Sequence, residues 1–333
     1  MTSPSRPPLL YLSSDDVRLA LPMAAAIEAM RSAFKELGGG TVIMPPRLRL
    51  DAKEEQGVVL VMPSLSGGLS RLALKVLTLY DNNPKAGLPF IQALVILSDA
   101  STGTPLAILD GGALTALRTG AVGGVAADVL ARPDAAIAAI FGAGLQARAQ
   151  LEALAAVREL REARVYDPNK DAAAAFVREM SYRLGLVVRA APDAASALRG
   201  ADLVATATTS SRPVFADGDV GEGAHINAVG VYQPDKAEIP PHTVRWARVV
   251  VDQREAAFEE AGDLLQPMAD GLFGPEHIST ELGEILLGRA FGRTSDAEIT
   301  LFKSVGLAVQ DLYAASHAYD EALRSGIGWE LSR

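Results

Sequence analysis

The 333-residue chain has no cysteine. That excludes disulfides, thiolate nucleophiles and zinc–thiolate centres together, and it fits a cytoplasmic protein. Histidine is nearly as scarce. Only His225, His242, His277 and His317 occur, and no two stand at metal-ligand spacing, so no metal site is expected. Basic charge is in deficit: 31 Lys and Arg against 40 Asp and Glu leave a net charge of −9. The basic clusters are short and interleaved with acids. Such a chain lacks the electrostatic footprint for nucleic acid or an anionic membrane surface, which turns attention to small molecules. The opening MTSPSRPPLLYLSSDDV has no apolar h-region, so no signal peptide is expected there. No apolar run approaches the roughly 20 residues that cross a bilayer, and no membrane partner is expected.

Hydrophobic residues make up 49% of the chain, enough at this length for two well-buried domains. Ser13, Ser14 and Asp15 offer N-cap oxygens for a short helix. A second helix begins near Pro22 and ends at Gly38–Gly40, with Ile27, Met30, Ala33, Phe34 and Leu37 along one buried face. From Arg47 the pattern changes, and strands are predicted at Gly57–Met62, Leu72–Tyr80, Ile91–Leu97 and Pro105–Leu109. An Ala/Gly-rich helix is predicted over Leu114–Leu130, with Arg118 near its start and glycines 120, 123 and 124 allowing close packing. Beyond it, strands at Ala136–Phe141, Arg164–Tyr166, Val187–Arg189, Leu203–Ala207, His225–Val229 and Val249–Val251 alternate with helices. That alternation predicts a parallel sheet covered on both faces. After Asp252 the pattern reads as helical, closing with a long amphipathic helix from about Val305 to Arg324.

The strongest local signal lies in AAIAAIFGAGLQARAQLEALAAV. A buried strand runs into Gly142-Ala143-Gly144-Leu145-Gln146-Ala147 and then a helix, the G-x-G-x-x-A form of the dinucleotide fingerprint. Gly142 permits the tight turn, Gly144 lets a pyrophosphate approach the backbone, and Ala147 keeps helix and strand close. The helix N-terminus offers free N–H groups to the phosphates. Asp167, at the end of the next strand, stands where a carboxylate accepts from a ribose 2′-hydroxyl, which favours NAD. Lys170, three residues on, can instead meet a 2′-phosphate, which keeps NADP open. Asp167 also suits the start of an Asp-Pro-Asn turn. Thr206 and Thr208, after the fourth strand, lie where such folds touch their ligands, as candidate cofactor contacts or as an ordinary polar loop.

With the cradle placed, the chain resembles the ornithine cyclodeaminase/mu-crystallin family across nearly its whole length. The matching stretches include MPPRLRL (44–50), ALKV (73–76), DNNPKAGLP (81–89), DASTGTPLAILDGGALTALRTGA (99–121), FGAGLQA (141–147), GAHINAVG (223–230), ELGEILLG (281–288) and FKSVGLAVQD (302–311). The resemblance implies a homodimer of α/β subunits. A Rossmann NAD(P)-binding domain (122–304) is expected between an α+β substrate and dimerisation domain (1–121) and its C-terminal helix (305–333). It implies hydride transfer between a nicotinamide and the α-carbon of an amino or imino acid.

Such a substrate brings a carboxylate. Arg47, Lys75 and Arg118 match the family's substrate-contacting positions. Arg47 and Arg118 are assigned to the carboxylate, which arginine grips with paired N–H bonds. Lys75, among Ala73, Leu74, Val76 and Leu77, is either a solvent-facing strand lysine or a buried one with lowered pKa. The resemblance favours the second, as proton donor to the imine side. Thr119, Val229 and Lys303 join the candidate cofactor residues. His225, opening an apolar strand, is read as structural. The family pattern breaks twice: Tyr232 and Leu60 stand where the cyclodeaminases carry acids. Losing both removes the groups that manage ornithine's two amines, so the expectation is a reductase of cyclic α-imino acids such as Δ1-pyrroline-2-carboxylate, with Tyr232 at the nitrogen end. The alternatives are ornithine cyclodeaminase, alanine dehydrogenase, and a non-enzymatic ligand-binding protein like mu-crystallin.

Overall fold

A computed structural model of the chain describes residues 8–332. In chain order the first strands and helices are β1 (Leu9–Leu12), α1 (Ser14–Ala20), α2 (Met23–Gly38), β2 (Val42–Ile43), β3 (Leu48–Ala52), β4 (Gly57–Ser66), β5 (Arg71–Tyr80), β6 (Ile91–Asp99), β7 (Pro105–Asp110) and α3 (Gly111–Leu130). Then follow β8 (Ile137–Phe141), α4 (Leu145–Val157), β9 (Glu162–Tyr166), α5 (Lys170–Leu184), β10 (Val187–Ala190), α6 (Ala194–Leu198), β11 (Leu203–Thr206) and β12 (His225–Ala228). The remainder comprises α7 (Pro241–Trp246), β13 (Arg248–Val251), α8 (Arg254–Glu260), α9 (Gly262–Ala269), β14 (Thr280–Glu281), α10 (Leu282–Leu286), β15 (Thr300–Lys303), α11 (Ala308–Ser325) and β16 (Trp329–Leu331). Two compact units result. One holds the residues up to Arg118 together with those from Leu307 onward; the other is Thr119–Gly306.

The first unit is built on a sheet of order β16-β1-β7-β6-β5-β4-β2, with β3 also on β4. Its pairs are antiparallel except β1 with β7. Period-two burial along β5 turns Ala73, Lys75, Leu77 and Leu79 to the covered face. Helix α11 packs on β4 and β5 and against α2, whose Ile27, Met30 and Phe34 are buried. The middle of the opposite face is apolar. Register puts Leu48, Val61, Val76 and Leu94 in one row, and Pro63, Leu74, Ile96, Ile108, Tyr11 and Trp329 in the next. Leu48 is 55% exposed and Leu94 49%.

The second unit carries a parallel sheet of order β10-β9-β8-β11-β12-β15-β13-β14. Leu151, Leu154, Phe176 and Met180 of α4 and α5 fill one side. Val244, Ala257 and Leu264 of α7–α9 fill the other. This is the doubly wound arrangement expected, and the order reverses between β8 and β11, the place where such sheets bind ligands. Glycines in α3 serve packing: a Cβ on Gly120 would lie 2.5 Å from the Ala149 carbonyl oxygen, and one on Gly123 would lie 2.2 Å from Gln150 Oε1.

Three sequence expectations are corrected. Strand β15 lies between β12 and β13, in a region read as helical. It is only four residues long and ends in a lysine, so no strand-length apolar run announced it. Helix α3 starts at Gly111, because Asp110 Oδ1 accepts from Ala113 N at 2.7 Å and caps it. That places Arg118 two turns in. Helix α11 begins at Ala308 instead of Val305, because the Val305 and Gly306 N–H groups donate to Asp252 Oδ2 at 2.9 and 3.0 Å. Gly306 is left-handed there, with φ +80°. Helix α3 is also the one helix among the described residues long and apolar enough for a membrane span, and 83% of that stretch is buried within the protein.

Candidate active site

In the second unit the turn after β8 is shaped for a pyrophosphate. Gly142 adopts φ +95°, and a Cβ there would sit 2.7 Å from the Ala207 carbonyl oxygen. Gly144 is the N-cap of α4 and no side chain caps that helix, so its first N–H groups remain available to an anion. Nothing lies within 4 Å of where a Gly144 Cβ would stand. Gly142, Ala143, Gly144, Leu145, Gln146 and Ala147 therefore fit a dinucleotide, with Ala147 buried against the sheet. Asp167 stands at the end of β9. Its Oδ2 accepts from Ala143 N and its Oδ1 from Asn169 N, both at 2.8 Å. It thus braces the glycine turn and opens its own turn at once. Each carboxylate oxygen has a second lone pair left for a ribose hydroxyl.

The strand ends beside this turn hold a buried network that the sequence did not announce. Glu238 accepts from Thr206 Oγ1 (3.1 Å), from Thr208 N and Oγ1 (both 2.7 Å) and from Gly230 N (2.8 Å). It ties the loop after β11 to the loop after β12. Burial and the charge of Asp263 push the Glu238 carboxyl above the usual range, against the pull of Lys303. Asp263 accepts from Glu238 N and Ile239 N and pairs with Lys303 Nζ at 2.7 Å. Lys303 Nζ also donates to the Val231 carbonyl. Thr206 and Lys303 are wholly buried, with their polar atoms turned into this network. The structure places both in the framework that fixes the loops after β11 and β12. Val229 N donates to Thr206 O, Tyr232 packs partly buried on the apolar core, and Thr119 gives its carbonyl to Gln150 Nε2. His225 lies between Thr300 Oγ1 and Asn227 Oδ1, and burial drives its imidazole down to about 3. It is structural.

In the first unit, Lys75 is fully buried on β5. Its Nζ is 2.6 Å from Asp311 Oδ2, in the first turn of α11. The two groups form a tight ion pair, with both side chains out of contact with solvent. Asp311 Oδ1 accepts from Arg118 Nε at 3.2 Å, and Gln310 Oε1 accepts from Arg118 Nη1. One carboxylate therefore serves two cations. Burial pulls the Lys75 pKa down to about 7; Asp311 opposes this, while Arg118 and Arg47 depress it further. Of the expected trio, Lys75 and Arg118 share Asp311, and Arg47 lies near enough for its charge to act on Lys75. Asp311 and Gln310 were missed, although an acid inside the apolar face of a terminal helix is a signal the sequence carries.

A doubly wound sheet with an open glycine turn defines a dinucleotide-binding protein of the Rossmann type, joined here to a unit with a buried lysine–carboxylate–arginine centre. The chain belongs to the ornithine cyclodeaminase/mu-crystallin family, which it matches over residues 10–326. It is 41% identical over 321 residues to a Δ1-pyrroline-2-carboxylate reductase of Bacillus cereus, covering 96% of this chain and 98% of that one. Among solved structures, it is similar to the Thermococcus litoralis Δ1-pyrroline-2-carboxylate reductase in complex with NADH and L-proline. The TM-score is 0.94 at 42% identity, covering 97% of this chain and all of that one. An archaeal alanine dehydrogenase dimer with bound NAD gives a TM-score of 0.91 at 36% identity, covering 97% and 99%.

Proposed function

We propose that the chain is an NAD(P)H-dependent reductase of cyclic α-imino acids, with Δ1-pyrroline-2-carboxylate the first substrate to test. The observation that carries this is the buried Lys75, its basicity lowered to about 7 beside two arginines. The bound nicotinamide supplies the hydride. This chain's residues supply the rest. Arg118 and Arg47 bind and orient the carboxylate. Lys75 Nζ gives a proton to the imine nitrogen, which a group titrating near neutrality does well. Asp311 holds that ammonium in place. Leu60 and Met62 are buried on the strand beside Lys75 and offer no acid to a second amine. That favours an imino acid over a diamino acid. The test is cofactor absorbance with pyrroline-2-carboxylate and NADH or NADPH: steady oxidation is expected, and no turnover with either cofactor would sink the reading.

Asp167 supports NAD. Changing Asp167→Ala is expected to raise the KM for NADH by about tenfold, the worth of one or two hydrogen bonds to a charged group, while the KM for NADPH rises less.

The apolar sheet face supports a homodimer, each copy covering the other's rows of Leu94 and Ile96. A Leu94→Asp, Ile96→Asp double variant is expected to run as a monomer by light scattering. A persistent dimer would refute that face as the interface.

A further inference from the structure

Gln310 has a role that the cationic trio does not cover. Its side chain is wholly buried in the first turn of α11. The oxygen end is fixed: Oε1 accepts from Leu307 N at 3.0 Å and from Arg118 Nη1. Exchanging oxygen and nitrogen would set N–H against N–H at both contacts, so the amide stands one way only. The Nε2 group is then buried with no acceptor. Native interiors rarely leave such a donor unmet. Thr115 Oγ1 is likewise buried without a partner among the described residues. Thr115 lies three residues before Arg118 on α3, hence on the same helix face. Lys75 and Arg118 share Asp311, and Arg118 joins Asp311 to Gln310.

We infer that Gln310 is a substrate-binding residue whose Nε2 donates to the carboxylate of the imino acid. The inference rests on the function proposed above. The carboxylate follows from donor and acceptor chemistry. The imine nitrogen has a single lone pair, which Lys75 Nζ meets, and the ammonium of the product has only N–H bonds to give, so the carboxylate is the acceptor left for Gln310. Arg118 approaches it with a guanidinium whose Nη1 side Gln310 holds, so one side chain both sets the arginine and adds its own donor. Leu307 N bonded to the same Oε1 locks that geometry to the start of α11.

Two variants separate the donor from the acceptor. Gln310→Met removes both. Gln310→Glu keeps an oxygen for Leu307 N and Arg118 but loses the amide donor. The probes are L-proline and pyrrolidine, titrated calorimetrically with the oxidised cofactor present, beside turnover of pyrroline-2-carboxylate. Both variants are expected to bind L-proline roughly 10- to 100-fold more weakly, as for a lost hydrogen bond to a charged group. Pyrrolidine binding and the KM for NADH should stay within about twofold, since neither measures the carboxylate contact. If Gln310→Met fails to fold, Gln310→Glu decides. Normal turnover with L-proline affinity unchanged in the folded variants overturns the role of Gln310 and leaves the reductase reading standing. An unaltered chain that neither turns over pyrroline-2-carboxylate nor binds L-proline overturns both.

Discussion

Replacing Lys75 with methionine is expected to lower kcat for imine reduction by roughly 10²- to 10⁴-fold, the range of a positioned proton donor. Methionine keeps the length and apolar stem of lysine and removes the ammonium. The substrate KM should rise much less, because the arginines still meet the carboxylate. A rate within about threefold of the unaltered chain would remove Lys75 from the chemistry. The pH profile is the sharper test. Lys75 titrates at about 7 in the folded protein, because burial disfavours its charged form. Reduction needs the proton on Lys75, so its rate should fall as pH rises above about 7. Oxidation of the amino acid needs the neutral amine and should rise through the same region. Both limbs should vanish in Lys75→Met.

Stability responds with the opposite sign. The folded pKa lies below the unfolded value of 10.5. Between about pH 7 and 10.5 the unfolded chain holds a proton that the folded chain has released. Raising the pH through that window therefore favours the fold at this group, and below pH 7 its burial penalty stands in full. The difference in urea midpoint between the unaltered chain and Lys75→Met should change steadily from pH 6.5 to pH 9, with the lysine form gaining. A pH-independent difference would mean that Lys75 titrates in its ordinary range.

The nucleotide half of this arrangement was legible because its information is local. Gly142, Gly144 and Asp167 lie within one strand–helix–strand unit: a left-handed backbone angle demands Gly142, the open space at the helix start suits Gly144, and Asp167 follows a strand end. The catalytic half was legible only in part. Period two along β5 leaves Lys75 two faces to choose from, and nothing in ALKV says which is covered. The answer lies in α11, whose Asp311 is 193 residues beyond Arg118. Glu238 was illegible for a related reason: a glutamate in a loop between prolines looks solvated until two strand ends close around it. Strand β15 shows the limit for topology, since four residues cannot display a period and its place in the sheet comes from pairing with β12 and β13.

Asp311→Leu is expected to cost the most stability of any single change at the site. Asp311 is buried and shared by Lys75 and Arg118. Removing one partner of a buried ion pair costs about 3–5 kcal/mol, because the remaining charge stays desolvated. Here two cations lose their counter-charge. Lys75 can escape by giving up its proton, since the charge that held its pKa up is gone. Arg118 has no such escape at any ordinary pH. The alkaline fall in reduction should therefore move below pH 7 in Asp311→Asn, which keeps the shape and loses the charge. An unmoved profile would show that Asp311 does not set the Lys75 proton. The double variant Asp311→Leu, Lys75→Met isolates the pair. It should regain part of the stability lost in Asp311→Leu alone, because one stranded cation has been removed, and the coupling between close sites makes the two costs non-additive. The recovery should stop short of the original stability, because Arg118 remains charged and keeps only Gln310 among the two side chains that now hold it.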